Sequence, residues 1–300
     1  MSNQINKKIK VLCEFNQPEV IYIKEVIKSI SSSMIHSEVD FIQLFETQYE
    51  FYIKDLMMED SSFIEYENTK PLIYIIDNEN QRKYKIIGST KEFMEYITIE
   101  CSFILEYNQK YYESLCKIEY ESFLKTHKSK FIYMKMNICQ KLIVFELFND
   151  ICPITSTNFF NLCLNNEIKQ GNQVFSYVNC EVFRVVRNGF LQSGDIKNFS
   201  SSTRQGKSSN AEFEDENFIV KHDHPGILGM VKNKCLPHSN QYQFYITFNS
   251  LSSFDGKFVA FGRVVKGFDV IKHISEVETY MQKPVVKIFI EKTGEYVGHD

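Results

Sequence analysis

Three hundred residues, at roughly 100–200 per domain, are expected to form about two domains, each long enough to bury a core of its own. With 43% hydrophobic and 24% charged residues the composition is that of a globular chain, which excludes disordered, collagen-like and disulfide-scaffold classes. A formal net charge of −4 and a pI near 6.0 leave no global positive field to hold phosphate backbones, so no nucleic-acid partner is expected. The eight cysteines (13, 101, 116, 139, 152, 163, 180, 235) contain no CxxC and no regular spacing. They signal neither a zinc site nor a disulfide framework and read as reduced thiols, mostly in the core, with no metal and no cofactor expected. The opening MSNQINKKIK lacks the apolar stretch of a signal peptide, and runs such as LIYII at 72–76 are far too short to span a bilayer. A cytoplasmic chain with no membrane partner is the expectation.

Residues 9–15 (IKVLCEF) are β-branched and apolar and predict a strand, after which Asn16 with Glu19 three residues on forms a capping signal, with Pro18 in the first helical turn. In that helix Val20, Ile23, Ile27 and Ile30 recur at helical spacing and predict one buried stripe. A second strand is expected at 39–45 (VDFIQLF), a helical stretch near 48–58, a third strand at 71–76 (PLIYII), a turn at Asp77–Asn80, a fourth strand at 83–87 (KYKII) and a helix after Ser89. This β-α-β-α-β-β-α order, with Pro71 opening the third strand after Thr69–Lys70, resembles the thioredoxin or glutaredoxin fold, where a cis-proline sits at this point. Residues 1–100 are therefore expected to form an α/β, thioredoxin-like domain without CxxC. Redox chemistry of that family needs a thiolate at the N-terminus of the first helix. Here the loop reads FNQPEV, with Cys13 back on the strand, so Cys13 reads as a structural core thiol and no redox activity is expected.

Residues 101–130 read as an amphipathic connecting helix, with Phe103, Tyr107, Tyr111, Leu115 and Ile118 spaced for one face. Such a stripe packs on its parent domain or recruits a partner helix. There is no internal repeat, which argues against a solenoid. Residues 131–300 are rich in short apolar segments that predict strands: 131–136 (FIYMKM), 142–148 (LIVFELF), 182–186 (VFRVV), 244–248 (FYITF), 258–265 (FVAFGRVV) and 285–290 (VVKIFI). Two helices interrupt them, one after Pro153 presenting Phe159, Leu162 and Cys163, the other from Phe268 presenting Val270, Ile271 and Ile274. Many strands with few helices argue a closed barrel or sandwich, so the chain as a whole is expected to be α+β.

The segments RVVRNGFLQSGD (184–195), FEDENF (213–218), HPGILGM (224–230), QFYITF (243–248) and FDGKFVAFGRVV (254–265), in this order, resemble the cyclophilin family of peptidyl-prolyl cis-trans isomerases. The RNGF variant, a phenylalanine at the usual histidine position and the long N-terminal extension make the chain most similar to the peptidyl-prolyl isomerase-like protein 6 branch. The resemblance implies an eight-stranded antiparallel barrel capped by two helices, with a groove on its outer face for proline-containing peptide or protein segments. Rotation about an X–Pro bond meets a barrier of about 20 kcal/mol because amide resonance gives the C–N bond double-bond character. Arg184 matches the family's catalytic arginine, whose guanidinium donates to the proline nitrogen once the bond twists and resonance is lost; the planar nitrogen accepts poorly, so the interaction favours the transition state. Read alone, an arginine inside VFRVV is a salt-bridged surface residue of a strand.

By the same resemblance Gln192 and Gln243 hold the substrate backbone, each amide able to donate and to accept. Tyr245 is an aromatic wall of the proline pocket, Phe190 falls on its methionine position, Phe254 replaces a leucine, Phe258 replaces a histidine, and Val231 lies on the groove. Without the motif the aromatic residues would be ordinary core and the glutamines exposed filler. Gly189 stands where the family has a pocket phenylalanine, so one wall is missing unless Phe190 replaces it. Ser253 stands at the tryptophan position used by many members to bind cyclosporin, so weak cyclosporin binding at most is expected. The loop from Met230 to Gln243 is longer than the common pattern, and Val231, Lys232 and Asn233 replace a small-residue stretch that lines the groove. Lys232, Lys234 and His238 are expected to put positive charge there, and Cys235 is a candidate for redox sensing if exposed.

Three functions follow for comparison. The first is a slow isomerase needing no cofactor; the second is a non-catalytic scaffold or binding module in a larger assembly. A holdase chaperone is the third. The branch resemblance implies a ciliary setting, with axonemal proteins as partners.

Overall fold

The computed structural model describes residues 7–30, 38–77, 83–101, 104–164, 175–196, 212–233 and 236–298. The chain divides into two compact units, Met1–Phe123 and Leu124–Asp300.

In the N-terminal unit β1 (Lys7–Glu14) pairs in parallel with β2 (Glu38–Leu44) and antiparallel with β3 (Leu72–Asp77), and β4 (Lys83–Gly88) completes a sheet of order β2-β1-β3-β4. The helices are α1 (Pro18–Ile30), α2 (Glu46–Glu59), α3 (Thr90–Cys101) and α4 (Gln109–Thr126). Alternation along β1 sends Val11 and Cys13 to the face shared with α1, α3 and Tyr112 and Cys116 of α4, and Leu12 to the face shared with Tyr49, Ile53 and Leu56 of α2. All three β1 residues are fully buried, because helices cover both faces of the sheet. The Ser-x-x-Glu at 89–92 opens α3 as a capping pair, the Ser89 N–H donating to Glu92 Oε2 at 2.9 Å. The Lys70–Pro71 peptide bond at the entrance to β3 is cis.

Two sequence expectations in this unit are corrected. Asn16 does not cap α1: it sits in the left-handed region (φ 67°), and Pro18 itself opens the helix. Proline disfavours helical backbone at Gln17, the residue before it, so the helix starts at Pro18, and the chain turns one residue earlier at Asn16, a type that tolerates positive φ. The apolar stripe of the connecting segment is also out of phase. There is no single helix from residue 101, since α3 ends at Cys101 and residues 104–108 are not helical. On α4, Tyr111 and Ile118 are exposed while Tyr112 and Cys116 are buried; Tyr22 selects that face, its ring edge-on to Tyr112 at 5.3 Å and its hydroxyl donating to the Leu105 carbonyl. Phe103, the turn residues 78–80, Lys234 and Cys235 lie outside the described residues.

The C-terminal unit is an eight-stranded antiparallel sheet of order β14-β5-β6-β11-β9-β10-β8-β7. Its strands are β5 (Lys130–Met136), β6 (Leu142–Leu147), β7 (Arg184–Val186), β8 (Phe190–Ser193), β9 (Ile227–Lys232), β10 (Asn240–Thr247), β11 (Ala260–Lys266) and β14 (Ile290–Glu295), with a separate hairpin of β12 (Thr279–Tyr280) and β13 (Lys283–Pro284). Backbone bonds from Val182 N–H to the Ile288 carbonyl and from Asn179 N–H to the Ile290 carbonyl join the two sheet edges, curling the sheet into a barrel. Helix α5 (Pro153–Cys163) buries Phe159, Leu162 and Cys163, as its spacing predicts, and sets Phe159 against Tyr177, Phe244 and Phe261. Helix α6 (Phe268–Glu276) buries Val270, Ile271 and Ile274, the latter two beside Met134, Phe145, Leu191 and Ile246 of the interior. Gly267 precedes α6 at φ 79°, and a Cβ there would meet the Leu142 carbonyl oxygen at 2.1 Å, so only glycine fits.

The strand expected at 285–290 is corrected: Val285 and Val286 are 60% and 54% exposed, and β14 begins only at Ile290. Strand propensity is satisfied by side-chain packing; the Val285 N–H bonds the Glu278 carbonyl, but both valine side chains stay in solvent, and the chain is buried again only at Ile288. Among the described residues no helix is long and apolar enough to cross a membrane, and no group of three or more His, Cys, Asp or Glu side chains could hold a metal ion.

Candidate functional site

Register assembles the site. Arg184 on β7 faces Gln192 on β8, Gln192 faces Tyr245 on β10, and Tyr245 faces Gly229 on β9, so the four lie in one row across four neighbouring strands. Residues directly opposite in an antiparallel ladder share a face, and so do residues two apart on a strand. Phe190, Gln243 and Val231 therefore join the same outer face, while Leu191, Phe244 and Ile246 point into the barrel.

Along the row Arg184 is exposed. Its Nε donates to Gln282 Oε1 at 2.7 Å, and the guanidinium carbon lies 5.3 Å from the Phe190 ring centroid, within cation–π range. Gln192 is buried, and its Nε2 donates to Gln243 Oε1 at 2.9 Å, which fixes both amides against each other. Beside this polar edge stands a ring cluster. Phe190 lies 5.8 Å from Tyr245 and 5.5 Å from Phe254; Phe254 lies 5.3 Å from Tyr245 and 4.7 Å from Phe258, which is 6.0 Å from Tyr245. Phe254 reaches the cluster from the short 3₁₀ turn Ser252–Phe254, and Phe258 from just beyond it, its N–H donating to the Phe254 carbonyl. Phe190 thus joins the cluster directly, its ring against Tyr245 and Phe254. Ser253 is exposed on the turn, with its carbonyl accepting from Lys257 Nζ at 2.9 Å.

Beneath the cluster runs a polar chain that the sequence reading missed. Tyr245 is 1% exposed, and its hydroxyl lies 2.7 Å from His222 Nε2; His222 Nδ1 lies 2.8 Å from Asp255 Oδ1, which also accepts the His222 N–H at 2.9 Å. A carboxylate only accepts, so His222 Nδ1 donates to Asp255 and Nε2 accepts from Tyr245, which is the neutral imidazole. Burial lowers the His222 pKa from its ordinary value, partly offset by Asp255, and the bonds from His222 lower that of Asp255. Burial holds the Tyr245 hydroxyl well above its usual range, so it stays protonated. Room for that hydroxyl comes from Gly229, where a Cβ would sit 2.2 Å from the Tyr245 oxygen. The available signal was Tyr245 itself, since a tyrosine buried as a wall needs a partner for its hydroxyl.

The charge expected beside the groove is corrected. Lys232 is almost buried, pairs with Asp215 at 2.8 Å and lies over the rings of Phe218 and Phe258 at 5.4 and 5.8 Å. His238 adopts φ 56° and accepts the Asp215 N–H through Nδ1. Both residues bind Asp215, which neutralises Lys232. Val231 is half-buried on β9.

Residues 131–295 match the family model described as cyclophilin type peptidyl-prolyl cis-trans isomerase/CLD. The chain is similar to proteins named "Probable inactive peptidyl-prolyl cis-trans isomerase-like 6": 37% identical over 194 residues to that of Bos taurus, covering 61% of this chain and 60% of the relative. Identity is 36% over 194 residues to that of Homo sapiens, with the same coverage. It is also 36% over 195 residues to that of Mus musculus, covering 61% of this chain and 59% of the relative. The match spans about three fifths of those relatives' own length. Among solved structures, a cyclophilin type peptidyl-prolyl cis-trans isomerase of Cryptosporidium parvum is 26% identical with a TM-score of 0.47, covering 56% of this chain and 98% of that one. With the family model matching more than half of its residues, the chain belongs to the cyclophilin-type peptidyl-prolyl cis-trans isomerase family.

Proposed function

We propose that the C-terminal unit holds proline-containing protein segments in the groove above β7, β8 and β10 and isomerises X–Pro bonds there slowly. The observation that carries this reading is the row Arg184–Gln192–Tyr245, aligned on one sheet face with the guanidinium exposed at its end. A guanidinium has five N–H donors; one is taken by Gln282, and the four on the terminal nitrogens remain for a twisted proline nitrogen and its neighbouring carbonyl. Gln192 and Gln243 hold the peptide backbone, Val231 borders it, and Phe190, Tyr245, Phe254 and Phe258 form the apolar wall. Because those rings already touch, a pyrrolidine ring enters only by displacing Phe190 or Phe254, an added cost that slows turnover.

The same ring contacts, with relatives named "Probable inactive", support a second reading: a binding module that holds proline segments without turning them over. Axonemal proteins in a cytoplasmic or ciliary assembly belong to that reading as partners. Titration of the ¹⁵N-labelled full chain with a short X–Pro peptide tests the shared claim. Shifts on β7, β8 and β10 support the groove, and their absence at saturating peptide overturns it; peptide cis/trans exchange in the same samples separates the two readings. With Ser253 in place of a large ring, cyclosporin titrated in parallel is expected to bind at micromolar affinity or weaker, and nanomolar binding would contradict that placement.

A further inference from the structure

Gln282 lies at the tip of the β12–β13 hairpin, between Tyr280 and Lys283, which pair across the turn. Both residues of that two-residue turn, Met281 (φ 48°) and Gln282 (φ 65°), are in the left-handed region. A hairpin turn of this shape needs positive φ at both central positions and is ordinarily made by asparagine or glycine, because a side chain there crowds its own backbone. Met281 is 85% exposed, so packing does not repay that crowding at its position. Gln282 has two bonds to β7. Its carbonyl accepts the Val185 N–H at 2.7 Å, and its side-chain Oε1 accepts from Arg184 Nε at 2.7 Å. A glycine at 282 would keep the first bond and relieve the backbone, but would lose the second. What the glutamine adds is its contact with Arg184.

We infer that Gln282 is a positioning residue: its amide fixes the plane of the Arg184 guanidinium. This inference rests on the groove proposed above. A long arginine side chain at the surface loses much rotamer freedom on being fixed, and one hydrogen bond leaves it free to swing. Two constraints of different kind act here, the Gln282 oxygen on Nε in the guanidinium plane and the Phe190 ring beside the guanidinium carbon. Together they leave the terminal nitrogens as the free edge. The arrangement is pre-formed, so a substrate does not have to order it. A strained turn bonded to β7 beside the groove fits a positioning role, since strain persists where surrounding contacts over-determine it.

The experiment compares wild type, Gln282→Gly and Gln282→Glu in the full chain. The Arg184 Hε–Nε resonance, assigned by its loss in Arg184→Ala, reads the bond; cis/trans exchange of an X–Pro peptide reads the function. Gln282→Gly is expected to speed solvent exchange of the Arg184 Hε at least tenfold and to lower peptide exchange about tenfold, while thermal stability stays level or rises. Gln282→Glu keeps an acceptor and is expected to hold the Hε protection within about twofold. An Arg184 Hε signal unchanged in Gln282→Gly overturns the inference, and so does its loss with peptide exchange intact. If wild type does not accelerate exchange at all, the isomerase reading fails on its own. Peptide affinity then replaces exchange as the functional readout: a weakening of about tenfold in Gln282→Gly upholds the positioning role, and unchanged affinity overturns it.

Discussion

The two units cover the faces of their sheets differently. In the N-terminal unit β1 is covered on both faces, and burial pushes the Cys13 thiol up to about 12 and that of Cys116 on α4 up to about 11, so both stay protonated and inert. In the C-terminal unit β7, β8 and β10 fill the barrel with one set of side chains and carry Arg184, Gln192 and Gln243 on the other, where Arg184 reaches solvent. The residue types are similar in the two units; the covered faces differ. A sheet with helices on both sides spends its side chains on packing, whereas one with a free outer face has positions at which to present donors.

The sharpest way to break the comparison is to overfill the free face from below. Gly229→Ala places a methyl against the Tyr245 hydroxyl and is expected to cost about 2–3 kcal/mol of unfolding free energy, measured by urea denaturation. Tyr245→Phe is not expected to relieve it, because the ring carbon Cζ would still lie 2.3 Å from that methyl, and Tyr245→Phe alone should cost about 1–2 kcal/mol because His222 Nε2 is left unpartnered in a buried position. A loss under about 0.5 kcal/mol in Tyr245→Phe would contradict the bond from its hydroxyl to His222.

Acid probes the same chain of groups. Since the folded pKa of His222 lies below its unfolded value of about 6.5, the unfolded chain takes up a proton that the folded chain refuses as pH falls through that value. The stability involved is fully present above about pH 6.5 and is lost down to the folded pKa, by at most about 1.4 kcal/mol per pH unit. Melting curves of wild type and His222→Gln between pH 7.5 and 5 should differ in slope by that one proton; parallel slopes would remove His222 from the account.

A thiol-labelling experiment sharpens the contrast from the other side. At pH 8 the native chain should modify the half-exposed Cys139 well ahead of Cys13 and Cys116, read site by site by mass spectrometry. Equal labelling would contradict the buried reading of the N-terminal sheet. The smallest expected effect is on the stability of Arg184→Ala, within about 0.5 kcal/mol of wild type, because that side chain is exposed.

Arg184, Phe190 and Gln192 were legible in the sequence through the likeness of 184–195 to the cyclophilin family, whereas the register of β7 on β8 and of β8 on β10 that sets Arg184, Gln192 and Tyr245 in one row was not. Alternation does not say what lies beneath, and the His222–Tyr245–Asp255 chain joins residues on three separate segments. Gln282 lies 98 residues from Arg184 and carries no local signal beyond two residues ill-suited to their turn. The misphased stripe on α4 has a related cause. Tyr111 and Tyr112 are equally apolar in sequence, and only the packing of Tyr22 against Tyr112 and of Phe15 against Phe123 selects the buried face. Val285 and Val286 show the converse: strand-forming side chains stay exposed where no apolar surface packs over them, although the Val285 N–H bonds Glu278.

The central claim is that the exposed end of the row performs the chemistry. Two-dimensional exchange NMR on a short X–Pro peptide, with wild type and Arg184→Ala at equal concentration, tests it most directly. Wild type is expected to speed cis/trans exchange above the slow solution rate and Arg184→Ala to lose at least about tenfold of that gain, a difference of roughly 1.4 kcal/mol in the barrier. Equal acceleration by both proteins, or none by wild type, would contradict it.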